Sequence, residues 1–443
     1  MINVALISLG CAKNLVDSEL MLGVLKENDI NIVIEPYLAD VVVINTCGFL
    51  EQAKQEAIES ILEIIELKKE GKIKGIIVAG CLSQRYKEEI EKEFPEVDGF
   101  LGTGSYNEVF NAVTKILKGN KFSSFNDREQ HNIDGQRVIS TPSYSAYIKI
   151  SEGCDNLCSY CAIPLIRGAF RSRKIENIVN EAKLLAKKGV KEIILIAQDT
   201  TRYGLDLYNE YCLPKLLNEL CKIEQLVWIR VLYFYPERIT DELLDVMANE
   251  EKIVKYIEMP IQHSSEKILK AMNRKGNSQS LLELIKKIRE KIPNVIIRTT
   301  VIVGFPNETK KDFLCLATFV KEAKFERLGV FTYSQEEGTK ASLFKGQISQ
   351  DEKLKRQEII SFEQNIISEQ FCAKQIGKTF KVIVEGYDKY GECYFARSYM
   401  EAPEIDGKIF IKSQNPLKTG DFYDVIINET MEYDLIGILP IED

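Results

Sequence analysis

Short β-branched apolar runs alternate with helical stretches along the first hundred residues. Residues 2–8, 41–45 and 75–79 read as buried parallel strands. Between them, residues 51–67 set Ala53, Ala57, Ile58, Ile61, Leu62 and Ile65 at helical spacing. The alternation predicts an open, doubly wound α/β domain over residues 1–118. Residues 119–143 are polar, contain Pro142 and show no sustained period, so they read as an interdomain linker. The β/α rhythm returns over 144–348, with apolar runs at 146–150, 191–197, 227–232, 255–260, 295–303 and 327–333. Six parallel strands make three quarters of a (β/α)8 barrel, that is, a partial (β/α)6 barrel. Residues 349–375 read as a long connecting helix. Residues 376–443 alternate in five short strands between Gly-rich turns, at 381–385, 394–399, 409–411, 423–427 and 435–439. That pattern predicts a small OB-like β-barrel.

Cysteines add chemistry to this frame. Cys154, Cys158 and Cys161 stand at C-x3-C-x2-C spacing in a loop after the first strand of the partial barrel. Thiolates so close in sequence can converge on one metal centre. A structural zinc site takes four protein ligands, and no fourth Cys or His follows within the loop. An iron–sulfur cubane held by three thiolates keeps one iron open for substrate; zinc and coincidence are the rival readings. The first-domain strands also end in cysteines, Cys11, Cys47 and Cys81. Ligands of open parallel sheets bind outside the carboxyl ends of the strands, so these three are expected to meet at one edge. The alternative is three buried packing thiols. Cys212, Cys221, Cys315, Cys372 and Cys393 have no such mates and read as packing residues.

Composition narrows the function classes. There are eleven cysteines and two histidines, His131 and His263. The thiols are expected to be reduced and metal-binding, and the shortage of histidine disfavours His-rich metal sites and Ser-His hydrolases. His131 lies in the polar linker and reads as solvated. The N-terminus has no basic n-region, and no apolar stretch approaches the ~20 residues of a membrane span. A cytoplasmic protein with no membrane partner is expected. Net charge is −8, which makes nucleic acid an unlikely partner and a basic protein a better one.

The motifs resemble one family. Gly153-Cys154-Asp155-Asn156, Cys158 to Pro164 and Arg167-Gly168-Ala169-Phe170-Arg171-Ser172-Arg173 are similar to the radical S-adenosylmethionine (SAM) methylthiotransferases. So are Gly10-Cys11-Ala-Lys13-Asn14 through Glu19, Asn45-Thr46-Cys47-Gly48-Phe49 and Gly80-Cys81 through Tyr86. Ala197-Gln198-Asp199-Thr200, Gln262-His263-Ser264 and Ala402 to Gly407 resemble the branch that modifies an aspartate of small-subunit ribosomal protein S twelve. The resemblance implies two 4Fe-4S clusters, an auxiliary one on Cys11, Cys47 and Cys81 and a radical SAM cluster on Cys154, Cys158 and Cys161. It implies SAM as methyl donor and radical source, an electron donor, and a C-terminal TRAM domain. Strand-end residues Gln198, Gly304 and Glu308 are its candidate SAM contacts. Lys13 and Asn14 are either substrate-docking or solvated at a helix start. No catalytic acid or base is singled out. TRAM domains of many relatives bind RNA, but residues 377–443 hold seven Lys/Arg against thirteen Asp/Glu. That sign suits the basic ribosomal protein instead. The rival functions are methylthiolation of an adenosine in transfer RNA and a non-catalytic iron–sulfur sensor or scaffold.

Overall fold

The structure, a computed structural model, describes residues 1–128 and 134–440; His131 lies outside the described residues. The first sheet contains β1 (Asn3–Ser8), β2 (Asn31–Val33), β3 (Val41–Thr46), β4 (Gly75–Gly80), β5 (Gly99–Leu101) and β6 (Phe122–Ser124), all parallel, in the order β2-β1-β3-β4-β5-β6. The chain order reverses between β1 and β3, and such a switch point opens a crevice at the carboxyl ends of the strands. Strands β2, β5 and β6 escape the sequence pattern because each has three residues. Strand β6 falls in the stretch read as linker, so the sheet runs past residue 118.

The central region begins with β7 (Ser145–Lys149). A two-stranded antiparallel ladder, β8 (Ser151–Glu152) with β9 (Arg171–Ser172), brackets the three-cysteine loop. The remaining strands are β10 (Glu192–Ile196), β11 (Trp228–Val231), β12 (Tyr256–Glu258), β13 (Ile296–Val303) and β14 (Arg327–Thr332). They form two parallel sheets, β7-β10-β11 and β12-β13-β14, joined by the single bridge Ile229–Ile253. Outward residues such as Ile148, Ile193, Leu195, Ile229, Ile257 and Ile297 pack on the surrounding helices. By strand alternation the opposite face carries Tyr147, Lys149, Glu192, Arg230, Tyr256, Glu258 and Arg298, a charged barrel interior.

Helix Gln350–Ala373 leads to a closed barrel of β15 (Thr379–Asp388), β16 (Cys393–Arg397), β17 (Ile409–Ile411), β18 (Phe422–Met431) and β19 (Asp434–Ile438), ordered β15-β16-β17-β19-β18. It plugs the amino ends of the central strands. Tyr144, Tyr147, Trp228 and Tyr256 share a core with Val382, Ile383, Ala396 and Val425, and Trp228 meets Phe422 edge-on at 4.8 Å. Buried Glu192 accepts from Arg230 at 3.0 Å and from Arg397 of β16 at 2.6 Å. Among the described residues no helix is long and apolar enough to cross a membrane.

Candidate functional site

The N-terminal domain covers the carboxyl ends of the central strands, so the cysteine-bearing edges of the two sheets face each other. In the first domain Gly10, at φ +86°, turns the chain from β1 into Cys11, which caps helix Ala12–Glu27. An added Cβ at Gly10 would lie 2.6 Å from the Cys47 Cβ, so the absent side chain lets Cys47 close on this turn. Gly80, at φ +96°, starts the short helix Cys81–Arg85. Cys11 sits deep in the cleft yet is open to solvent, Cys47 is half-buried, and Cys81 packs on Ala162 and Ile166 of the central domain. Burial opposes ionisation of Cys11, but Lys13 and Arg167 bring its pKa below the ordinary value. Burial pushes Cys81 up to about 12 and also raises Cys47, helped by Cys11 beside it. The Gly10 turn before Cys11 also lies against the Cys47 sulfur, 3.2 Å from an added Cβ.

In the central domain Gly153, at φ +75°, comes so close to the Ala169 carbonyl that no Cβ fits. The Cys154 N–H donates to the Gly168 carbonyl at 3.1 Å and the Cys161 N–H to the Cys158 carbonyl at 3.0 Å, a tight turn that keeps the trio together. Burial and the Cys158 thiol push Cys154 up to about 11 and Cys161 higher. The Tyr235 hydroxyl lies 3.8 Å from the Cys158 sulfur, with the Arg274 guanidinium stacked on its ring.

Between the trios lies a buried quartet, Asp17, Lys149, Glu152 and Arg167. Arg167 Nη1 donates to Asp17 at 2.9 Å and to Glu152 at 3.0 Å. Its Nη2 reaches Asn14 Oδ1 at 2.8 Å and the Cys81 sulfur at 3.4 Å. Lys149 bonds Asp17 and, at 2.6 Å, Glu152. Despite burial, the two cations hold the Glu152 carboxyl far below the carboxylate range. On the far side, Glu336 after β14 accepts from Arg85 at 3.0 Å. In sequence, Lys149 and Glu152 flank apolar runs, where a lone charge signals a buried partner.

The SAM candidates diverge. Gln198 Nε2 donates to Glu152 at 3.1 Å, so it joins the quartet. Gly304, at φ +73°, and Glu308 meet each other: the Glu308 carboxylate accepts from the Gly304 N–H and, at 3.0 Å, from the Phe305 N–H. Glu308 also pairs with Arg356 at 3.2 Å and is buried; it shapes the loop. Buried His263 accepts at Nδ1 from the Ser264 and Ser265 N–H groups. Neither Lys13 nor Asn14 is solvated. Asn14 bonds the Leu9 and Thr46 carbonyls. Lys13 lies over the Tyr233 ring, 3.1 Å from its centroid, and burial lowers its pKa. The other five cysteines sit apart, with Cys212, Cys372 and Cys393 buried.

Among the described residues no three His, Cys, Asp or Glu side chains gather tightly enough to hold a single metal ion. A cubane spreads its thiolates wider than one ion does, and each trio is all-thiol, the donor set such clusters take. Family descriptions match in three parts: an uncharacterised protein family, UPF0004, over residues 3–102, the radical SAM superfamily over 148–320 and the TRAM domain over 376–439. The ribosomal protein uS12 methylthiotransferase RimO of Thermoanaerobacter sp. is 51% identical over 436 residues, 98% of this chain and 99% of its own. That of Clostridium acetobutylicum is 50% identical over 435 residues, 98% of this chain and 97% of its own. In fold, the chain is similar to the radical SAM methyltransferase TsrM from Kitasatospora setae, solved with cobalamin and a [4Fe-4S] cluster, at TM-score 0.57 and 14% identity over 75% of each chain. It is also similar to the cobalamin-dependent radical enzyme OxsB, at TM-score 0.53 and 12% identity over 82% of this chain and 56% of that one. By its full-length similarity to these relatives, the chain belongs to the RimO family of radical SAM methylthiotransferases.

Proposed function

We propose that this protein attaches a methylthio group to the β-carbon of an aspartate in ribosomal protein uS12, with SAM as both methyl donor and radical source. What supports the reading is an all-cysteine trio at the strand ends of each of two facing domains, with Arg167, which follows the second trio in the chain, bonding Cys81 of the first. Cys154, Cys158 and Cys161 would hold the SAM-binding 4Fe-4S cluster, and Cys11, Cys47 and Cys81 an auxiliary one. When bound, the first cluster supplies one-electron cleavage of SAM, which yields a radical able to take hydrogen from a carbon too weakly acidic for a side-chain base. The chain's own residues orient and enclose. The quartet and the Arg85–Glu336 pair hold the two rims together. Tyr235 and Arg274 wall the Cys158 side. Gln198, Gly304 and Glu308 stay proposed as the SAM-side wall, with Glu308 setting the loop's shape.

The TRAM domain is proposed to dock the basic ribosomal protein. Glu385, Glu401 and Asp406 face Arg397, Arg327 and Arg298 internally, so the docking charge falls to exposed Glu392, Glu404, Asp424, Glu429 and Glu432. A one-electron donor protein is the other partner. The test is anaerobic reconstitution with iron and sulfide, incubation with SAM, a reductant and either uS12 or transfer RNA, then mass measurement. A methylthio mass gain on the protein substrate is expected; a gain only on transfer RNA would overturn the reading. Cys158→Ala should abolish 5′-deoxyadenosine formation and retain about half the iron, that of the other trio.

A further inference from the structure

We propose that Lys13 anchors the carboxylate of the residue to be modified and so selects aspartate over its neutral amide; the inference rests on the function proposed above. Lys13 follows Cys11 by two residues on the first turn of helix Ala12–Glu27 and is 8% exposed. Several cations near it have carboxylate partners: Lys149 and Arg167 share Asp17 and Glu152, Arg137 takes Glu19, and Arg85 takes Glu336. Among the described residues the Lys13 ammonium has no carboxylate or hydrogen-bond acceptor in bonding distance, only the face of the Tyr233 ring 3.1 Å away. Its charged neighbours include Cys11 and Glu258, and Glu258 is engaged elsewhere, accepting from the Tyr233 N–H at 3.2 Å and from Arg298 at 3.3 Å. A buried ammonium with no acceptor in hydrogen-bonding distance gains from an anion that pairs with it directly. The ring holds the charge in place and leaves the ammonium's remaining donors free.

The position of Tyr233 tells where that anion would come. Its backbone is in the left-handed region at φ +64°, strained for a bulky aromatic. The conformation is held at both ends: Glu258 takes its N–H, and its carbonyl accepts from the Thr200 N–H and hydroxyl, both at 3.1 Å. Two residues on, Tyr235 touches the Cys158 sulfur. One short segment thus lays one ring under the ammonium beside Cys11 and another against the second trio. Through this segment Lys13 is tied to both trios, and a side chain receiving a radical from one and sulfur from the other must come close to it. A carboxylate there would pair with Lys13 and leave its β-carbon free; a neutral amide would pair with the ammonium less strongly.

The test measures binding of labelled uS12, and of uS12 with the target aspartate changed to asparagine, to the reconstituted protein by fluorescence anisotropy. Unaltered protein should prefer the aspartate form by on the order of tenfold to a hundredfold. Lys13→Met should bring the ratio to within about twofold, and Lys13→Arg should keep most of it. With aspartate substrate, Lys13→Met should raise KM more than it lowers kcat. An unchanged ratio in Lys13→Met overturns the proposal, and so does weakened SAM binding with the ratio intact. Should Lys13→Met fail to load iron, the substrate arm decides: equal affinity of the unaltered protein for both forms refutes the anchor. Absence of any methylthio product on unaltered uS12 would instead sink the functional reading.

Discussion

Arg167→Met is the sharpest probe of how the two domains are joined. The arginine is 2% exposed and lies 2.9 Å from Asp17 and 3.0 Å from Glu152. At ~3 Å and an effective dielectric of ~20, each pair is worth roughly 5 kcal/mol before desolvation. Removing one partner of a buried ion pair has a net cost of about 3–5 kcal/mol. Methionine fills most of the stem's volume, so the cavity term is small. The cost is chiefly one excess negative charge, because Lys149 alone then faces both carboxylates. Adding Asp17→Asn removes that excess and leaves a neutral Lys149–Glu152 pair. The double variant should therefore recover about 2 kcal/mol relative to the sum of the single effects. Urea unfolding of the metal-free protein measures this, read by far-UV circular dichroism and by the fluorescence of Trp228, the one tryptophan. Strict additivity, or a single-variant loss under about 1 kcal/mol, would refute the claim that this quartet is a charge-balanced clasp.

Two further outcomes follow from local geometry. Gly10→Ala drives a Cβ to 2.6 Å from Cys47 at a backbone angle of φ +86°; in a Cys158→Ala background, iron per chain should fall near zero after reconstitution, as iron analysis would show. Thr309 caps helix Lys310–Ala323, and Asp312 in its first turn accepts from the Thr309 N–H in return. Burial opposes its ionisation, but the Thr309 hydroxyl and N–H, the Lys267 ammonium and the Ser265 hydroxyl hold its carboxyl below the usual range. A depressed folded-state pKa stabilises fully above the unfolded value near about 4, and the effect fades as pH falls through the folded value. Asp312→Asn should therefore cost about 1 kcal/mol at neutral pH, with the gap in melting temperature closing as pH is lowered toward 3.

Apolar runs long enough to show a period were legible along the chain. Residues 41–45 and 295–303 mark strands because a buried parallel strand is apolar throughout or on alternate positions. The cysteines were legible for a related reason: a strand end is a fixed address in a parallel sheet. Three-residue strands such as Phe122–Ser124 carry no period at all. A carboxylate in a glycine turn looks free in sequence, whereas here Glu308 closes the turn on the Gly304 and Phe305 N–H groups. Arg167 was quoted in a motif but its partners were not, since Asp17 lies 150 residues away along the chain.

The charges inside the central barrel show why partner identity is the hard part. Lys149, Glu192, Arg230, Glu258, Arg298 and Arg327 lie at inward strand positions, where an isolated barrel would carry apolar layers. Each is answered from outside its own strand, and several from another domain. Asp17 of the first domain answers Lys149; Arg397, Glu401 and Asp406 of the last answer Glu192, Arg327 and Arg298. A charge pattern that looks wasteful within one domain is therefore the complement of two others. It holds the first domain over the carboxyl ends of the barrel strands and the last against their amino ends.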